Sequence, residues 1–141
     1  MADYTQAFED ILAEYRVNVE EVRKKTRVFD GFMGLGNHPG NAACHEIMDK
    51  AVEKLCAEAA EEPDPEAAGA LVEKLFHAEG AWEGPEYARL ALLAAQRHAL
   101  ALIPLLAAEK RETLGAWYQK TYPRRERTPA QDRILAALMG M

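Results

Sequence analysis

The stretch Pro85–Ala108, with the sequence PEYARLALLAAQRHALALIPLLAA, decides the fold of this chain. Between Tyr87 and Ala108 every residue is Ala, Leu, Ile or Pro, apart from four polar ones: Arg89, Gln96, Arg97 and His98. A helix that is apolar around most of its circumference usually lies at the buried centre of a protein. The polar residues interrupt the run too often for a membrane span, which needs about 20 largely apolar residues. We therefore predict an interior helix.

This helix has a polar side and an apolar side. At 100° per residue, Arg89, Gln96 and Arg97 fall on one side, whereas His98 shares the other side with Ala91, Ala94 and Leu102. Pro104 removes one backbone hydrogen bond, so we expect a bend there and a continuation to about Tyr122.

Length and charge set the class of protein. A chain of 141 residues is expected to form a single helical domain, residues 1–141. Its net charge of -6 gives no bulk attraction to nucleic acid or to anionic lipid. We therefore expect no membrane association and no nucleic-acid partner.

The two cysteines indicate a reducing compartment. Cys44 and Cys56 lie about 18 Å apart if they share one helix, which is too far for a disulfide bond. The amino terminus shows no basic segment followed by an apolar run, so no secretory signal is visible. Free thiols and this missing signal together predict a cytoplasmic protein.

The fold class predicted from the whole pattern is all-α. Strand-like alternation is absent, and apolar residues repeat at threes and fours through most of the chain. We expect a compact bundle of four main helices plus a short C-terminal helix, with a Gly-rich loop between helices 1 and 2. Besides the central helix, the predicted segments are Thr5–Arg27, Asn41–Glu61, Pro65–Glu79 and a last helix from Pro129 to about Gly140.

Asp64 is the predicted N-cap of the third helix, and Thr128 and Gln131 are predicted to form a capping box at the last one. Apolar spacing along the first helix predicts one stripe for packing, made of Phe8, Leu12, Tyr15, Val19, Val22 and Thr26.

The Gly-rich loop is predicted to run from Val28 to Gly40. Four glycines and Pro39 disfavour a helix in this segment. Its large apolar residues Phe32, Met33 and Leu35 indicate that it packs on the core.

The residues best suited to catalysis or metal binding lie at the end of this loop and just after it. His38, Cys44, His45 and Asp49 lie in or just after it, and the central helix adds His98. These side chains are ligands that zinc, iron or copper accepts, so a transition-metal site is one interpretation. Their spacing matches no established signature. The simpler interpretation pairs His45 with Asp49, buries Cys44 as a small apolar residue and hydrogen-bonds His98 to a buried partner.

Cys44 also suggests a nucleophile or redox sensor. A cysteine in the first turn of a helix has a lowered thiol pKa, because the helix dipole stabilises the thiolate. A base would have to come from His38 or His98, since the adjacent His45 points about 100° away.

A third interpretation of the same region is an anion or small-ligand site. Asn41 is a good N-cap where free backbone N–H groups would bind an anion. Arg97 sits in an otherwise apolar helix and needs a carboxylate or a ligand anion. Asp30 and Asp49 are its candidate partners.

The carboxyl-terminal region mixes basic and aromatic residues. Trp117, Tyr118 and Tyr122 alternate with cations such as Arg124 and Arg125, a pattern that can bind nucleic acid. Pairing with the acidic segment 46–86, within the chain or between subunits, explains the same charges. In the third helix, Glu73 and His77 are spaced for a surface ion pair.

Three functions follow from these patterns. The first is a non-enzymatic interaction or accessory protein that self-associates, as a homodimer, or binds a protein partner. The second is a bundle that binds a small ligand or a transition metal such as zinc or iron, where residues 31–49 meet Arg97 and His98. The third is an enzyme or sensor that uses Cys44.

Overall fold

The computed structural model describes residues 3–33, 39–62 and 64–140, and their side chains outside 25–41. Within these residues the chain is all-α, with six α-helices and no strand. The helices are α1 (Tyr4–Met33), α2 (Pro39–Glu61), α3 (Pro65–His77), α4 (Glu86–Ala95), α5 (Ala108–Thr121) and α6 (Pro129–Leu138). Short 3₁₀ segments span Gln96–Ala101, Ile103–Leu105 and Arg124–Glu126.

The central stretch is buried, as its composition predicts. Ala88, Leu92, Ala99 and Leu102 are almost fully inaccessible to solvent. The stretch contacts α2, α3 and α6. Burial of an apolar surface on most sides of one segment is the main source of its stability.

The predicted continuous helix to Tyr122 is wrong. The α-helical backbone tightens to 3₁₀ at Gln96, and Leu106 and Ala107 adopt extended conformations before α5 begins at Ala108. Pro104 explains the interruption in part, because it lacks an N–H and its ring clashes with the preceding turn. The chain breaks into two helices at this point rather than bending.

The first helix is longer than predicted. It continues past Arg27 to Met33, and α2 begins at Pro39 instead of Asn41. One glycine, Gly31, costs a helix only about 1 kcal/mol, and proline is well tolerated at a first helical position. The predicted Gly-rich loop is therefore shorter than Val28–Gly40. Residues 34–38 lie outside the described residues. The predicted packing of Phe32, Met33 and Leu35 falls on side chains that are not described either.

Several local predictions are confirmed. The Asp64 side chain caps α3 by accepting hydrogen bonds from two backbone N–H groups, and Thr128 and Gln131 form a capping box at α6. The stripe of α1 is buried at Phe8, Tyr15 and Val19, and packs on α2 and α3. Among the described helices, none is both long and apolar enough to cross a lipid bilayer.

Candidate functional site

Asp49 on α2 is the meeting point of the predicted site. Arg97 donates two hydrogen bonds to its carboxylate, of 2.9 Å to Oδ1 and 2.7 Å to Oδ2, and a third of 2.9 Å to the carbonyl of Ala94. His98 Nε2 lies 3.1 Å from Asp49 Oδ1, so the imidazole proton sits on Nε2. Of the two carboxylates predicted as possible partners of Arg97, Asp30 and Asp49, it is Asp49 that pairs with it.

These contacts set the ionisation of Asp49. Partial burial by itself raises the pKa of the carboxyl group, but the hydrogen bonds from Arg97 and His98 outweigh burial. The net pKa of Asp49 lies below its ordinary value. Both carboxylate oxygens already have partners, so the cluster is a neutralised ion pair with an oriented histidine.

His45 contacts Tyr15 instead of Asp49, so the predicted His45–Asp49 pair is wrong. The Tyr15 hydroxyl oxygen and His45 Nδ1 are 2.6 Å apart, and the ring of Tyr87 lies 5.8 Å from that of His45. Burial lowers the pKa of His45 and raises that of Tyr15. The neutral imidazole therefore accepts a hydrogen bond that the phenol O–H donates to Nδ1.

Cys44 is buried, as the simpler interpretation predicts. Because α2 begins at Pro39, Cys44 lies in the second turn, beyond the backbone N–H groups that remain unpaired at a helix start. Burial raises the pKa of its thiol, opposite to the direction expected for a nucleophile. Cys56 is also a buried free thiol, with its pKa raised by burial to about 12.

Two predicted site residues, His38 and Asn41, fall wholly or partly outside the described residues. His38 lies outside the described residues, and the side chain of Asn41 does too. Asn41 is not the N-cap, because its backbone already belongs to α2. Among the described residues, no group of three His, Cys, Asp or Glu side chains is placed to hold a metal ion. A metal site that also uses His38 stays a prediction.

A second polar cluster, which sequence reasoning missed, lies inside the protein. The hydroxyl of Tyr122 donates to Glu79 Oε1 at 2.6 Å and accepts from Gln96 Nε2 at 3.1 Å. Tyr118 donates to Gln96 Oε1 at 2.8 Å, and Arg89 donates to Glu79 Oε2 at 2.7 Å. Gln96 is fully buried, so its predicted place on the polar side of the central helix is wrong.

This buried network also changes how the carboxyl-terminal aromatics are interpreted. Tyr118 and Tyr122 are both buried, and burial raises the pKa of each phenol. They therefore cannot stack on nucleic-acid bases. The predicted Glu73–His77 pair is also wrong, because Glu73 accepts from Lys110 at 2.6 Å and the His77 ring lies 4.3 Å from that of Trp117.

A groove of about 520 Å³ runs along the surface between α1 and α3. Its apolar lining comes from Phe8 and Leu12 on α1, from Ala70 and Ala78 on the α3 side, and from Ala81. A second depression of about 350 Å³ adjoins it, since both are lined by His77 and Ala81. The groove is an open depression beside two packed helices, and its accessible apolar surface comes mainly from Ala70 and Ala81, because Phe8, Leu12 and Ala78 are buried.

Charged side chains border this groove. Lys74 on α3 forms an ion pair with Glu9 on α1. The Arg16 guanidinium lies 5.5 Å from the centre of the Trp82 ring, a cation–π distance. Trp82 is itself fixed, because its indole N–H donates to the Pro85 carbonyl at 3.2 Å. Helical periodicity places Phe8 and Leu12 on one face of α1, but it does not predict the groove beside them.

Fold and surface together define an all-α protein with hydrogen-bonded polar clusters between its helices and an open surface groove. Comparisons with family models, with curated proteins and with solved structures found no match.

Proposed function

We propose that this protein is a non-enzymatic helical interaction module that binds a partner protein through the groove between α1 and α3. The observation that carries the proposal is the groove itself, a depression of about 520 Å³ that is lined by apolar residues and bordered by exposed charged side chains. A concave apolar surface with a polar rim is typical of places where a partner binds.

The other exposed apolar residues of the described surface are scattered. Val17, Ile47, Leu90 and Met139 are each about half exposed and lie on or beside four different helices. Single exposed apolar side chains are normal on a protein surface and need no partner. The groove differs from them because residues of α1 and of the α3 side enclose one concave surface.

The candidate catalytic groups support a binding role over a chemical one. The Asp49 carboxylate is held by Arg97 and His98, and the His45 ring nitrogen is held by Tyr15. Each group already has the partner that a substrate would need to displace. These contacts stabilise the fold, which leaves the groove as the better candidate for function.

The proposal is tested by crosslinking followed by a binding measurement. A photo-crosslinking amino acid at Ala70, which lines the groove, is expected to capture a defined protein in the source cells. The same amino acid at Ala57, which is exposed on α2, is expected not to capture it. The captured protein is then purified and its affinity for this chain is measured directly.

Matched variants decide whether the groove is the binding surface. The double substitution Ala70→Gln/Ala81→Gln partly fills the groove, whereas Ala13→Gln/Ala57→Gln adds the same atoms at two exposed positions that do not line it. We expect the first double variant to lose binding and the second to retain it, with helical circular dichroism unchanged in both. Equal binding by both variants would refute the proposal.

A further inference from the structure

We infer that the occupant of the α1–α3 groove is an amphipathic helix of a partner protein, about three turns long, which presents a carboxylate to Arg16. This inference rests on the proposed function and names the class of partner. It follows from the length of the groove, the sizes of the side chains that line it and the balance of charge around it.

The groove has the dimensions of a helix-binding site. Its α1 wall extends from Thr5 to Arg16, which is about 16 Å at the helical rise and matches three turns of a bound helix. On the α1 side the wall is made by the edges of Phe8 and Leu12, which are only 1% and 8% exposed, and on the α3 side by the small residues Ala70 and Ala78. The small residues allow a helix backbone to approach closely, so its apolar side chains at i, i+3 or i+4, and i+7 reach the floor.

The charges indicate what this helix carries. Glu9 is paired with Lys74, and Glu73 is paired with Lys110. Within the described part of the chain, Arg16 has no carboxylate within salt-bridge distance, and its guanidinium lies over the Trp82 ring. One uncompensated, already oriented cation beside an apolar groove complements an acidic residue on the occupant.

The Glu9–Lys74 pair joins α1 to α3 across the groove, so a helix that fills the whole groove has to displace this pair. Glu9 lies seven residues before Arg16 on α1, about 10 Å away, so the Arg16 end of the groove is clear of the pair. The side chains of Glu9 and Lys74 are 44% and 47% exposed, so they are able to move aside.

A bound helix accounts for the groove better than two other occupants do. A fatty acid would also offer a carboxylate to Arg16, but the groove is open along its length and an acyl chain would leave one side in water. A second copy of this chain would need an exposed apolar stripe. Val17, Ile47, Leu90 and Met139, the large apolar residues that are about half exposed in the described part of the chain, do not line this groove.

The test uses a displayed library of amphipathic helical peptides of about 12 residues, the length that spans the groove. Leucines are fixed at i, i+4, i+7 and i+11, and each flanking position is randomised among Glu, Gln and Lys. Selection on the wild-type protein is expected to enrich Glu at one flanking position. Selection on Arg16→Glu is expected to enrich Lys at that same position.

Affinities of the selected peptides supply the decisive comparison. The Glu peptide is expected to bind Arg16→Glu roughly fivefold to tenfold more weakly than wild type, and its Glu→Lys version is expected to recover the loss. Lys24→Glu, which makes the same charge reversal at another exposed position of α1, is expected to leave the affinity unchanged.

The outcomes separate this inference from the proposed function. The peptides could bind wild type, fail to bind Ala70→Gln/Ala81→Gln and show no preference for Glu. In that case the groove is the binding surface, but the inference about the acidic residue is wrong. If binding is unaffected by that double variant, or no peptide binds, the inference is also wrong. Saturable binding of decanoate that requires Arg16 would assign the groove to a fatty acid. A dimer that light scattering detects in wild type but not in the double variant would assign it to a second copy.

Discussion

Arg97 holds the Asp49 carboxylate with two hydrogen bonds of 2.9 and 2.7 Å, and so joins the 3₁₀ segment after α4 to the middle of α2. His98 adds a third hydrogen bond to the same carboxylate, of 3.1 Å. Arg97 and His98, which are consecutive in the sequence, therefore both bind the Asp49 carboxylate. This shared partner fixes the position of the central stretch along α2.

Asp49→Asn is expected to destabilise the protein by about 1 kcal/mol at pH 7, because a partly exposed charged pair with bidentate geometry contributes on that scale. The pKa of Asp49 is lowered in the folded state, so its stabilisation is complete above the unfolded-state pKa of about 3.9 and is lost as pH falls through the folded-state pKa. Urea unfolding at pH 7, 5 and 3 should therefore show the difference between wild type and variant shrinking at pH 3.

The control for Asp49 is Glu46→Gln, one turn earlier on α2. Glu46 pairs with Lys50 at 2.8 Å, but both side chains are more than 60% exposed, so the substitution should leave stability unchanged. If Asp49→Asn is as stable as Glu46→Gln at pH 7, the hydrogen bonds of Asp49 with Arg97 and His98 do not stabilise the protein.

Tyr122→Phe should cost about 1–3 kcal/mol, because it removes the donor to buried Glu79 and the acceptor for buried Gln96. Tyr87→Phe is the matched control, since the described residues give its hydroxyl no hydrogen-bond partner. Chemical denaturation of both variants checks the prediction. Equal losses in the two would show that the buried network does not stabilise the protein.

Gly84→Ala is expected to destabilise the protein by about 1–3 kcal/mol and to shift the Trp82 emission, because an added Cβ would lie 2.8 Å from the Trp82 indole nitrogen. Gly80→Ala should be tolerated, since its Cβ would meet only the His77 carbonyl at 3.7 Å. Fluorescence in a Trp117→Phe background isolates Trp82. Unchanged emission and stability in Gly84→Ala would show that Trp82 moves away at little cost.

Cys44 should react slowly with iodoacetamide in the native protein at pH 7, because burial both shields its thiol and raises its pKa. The rate is expected to rise only above pH 8.5, and unfolding should expose the thiol fully. A Cys56→Ser background makes the measurement specific to Cys44. Rapid alkylation at pH 7 would restore the prediction of a reactive thiol.

Residue types alone were enough to predict the kind of partner for some buried polar groups. An arginine in an apolar helix needs an anion, so Asp30 and Asp49 were predicted as the candidate partners of Arg97, and Asp49 is the partner observed. The partner of His45 was not predictable in this way, because Tyr15 is thirty residues distant in sequence and its hydroxyl carries no charge to signal the pairing. The order of polar residues along one helix likewise gave no sign that Gln96 turns inward.

The sequence by itself determined the all-α class, the caps at Asp64 and Thr128 and the burial of the central stretch, because these depend on local propensity and on apolar periodicity. The tertiary structure decided where the central helix breaks, which partners the buried polar groups have and where the α1–α3 groove lies. Each of these depends on side chains that different helices bring together, and helical periodicity specifies which face of a helix is apolar but not which neighbour covers it.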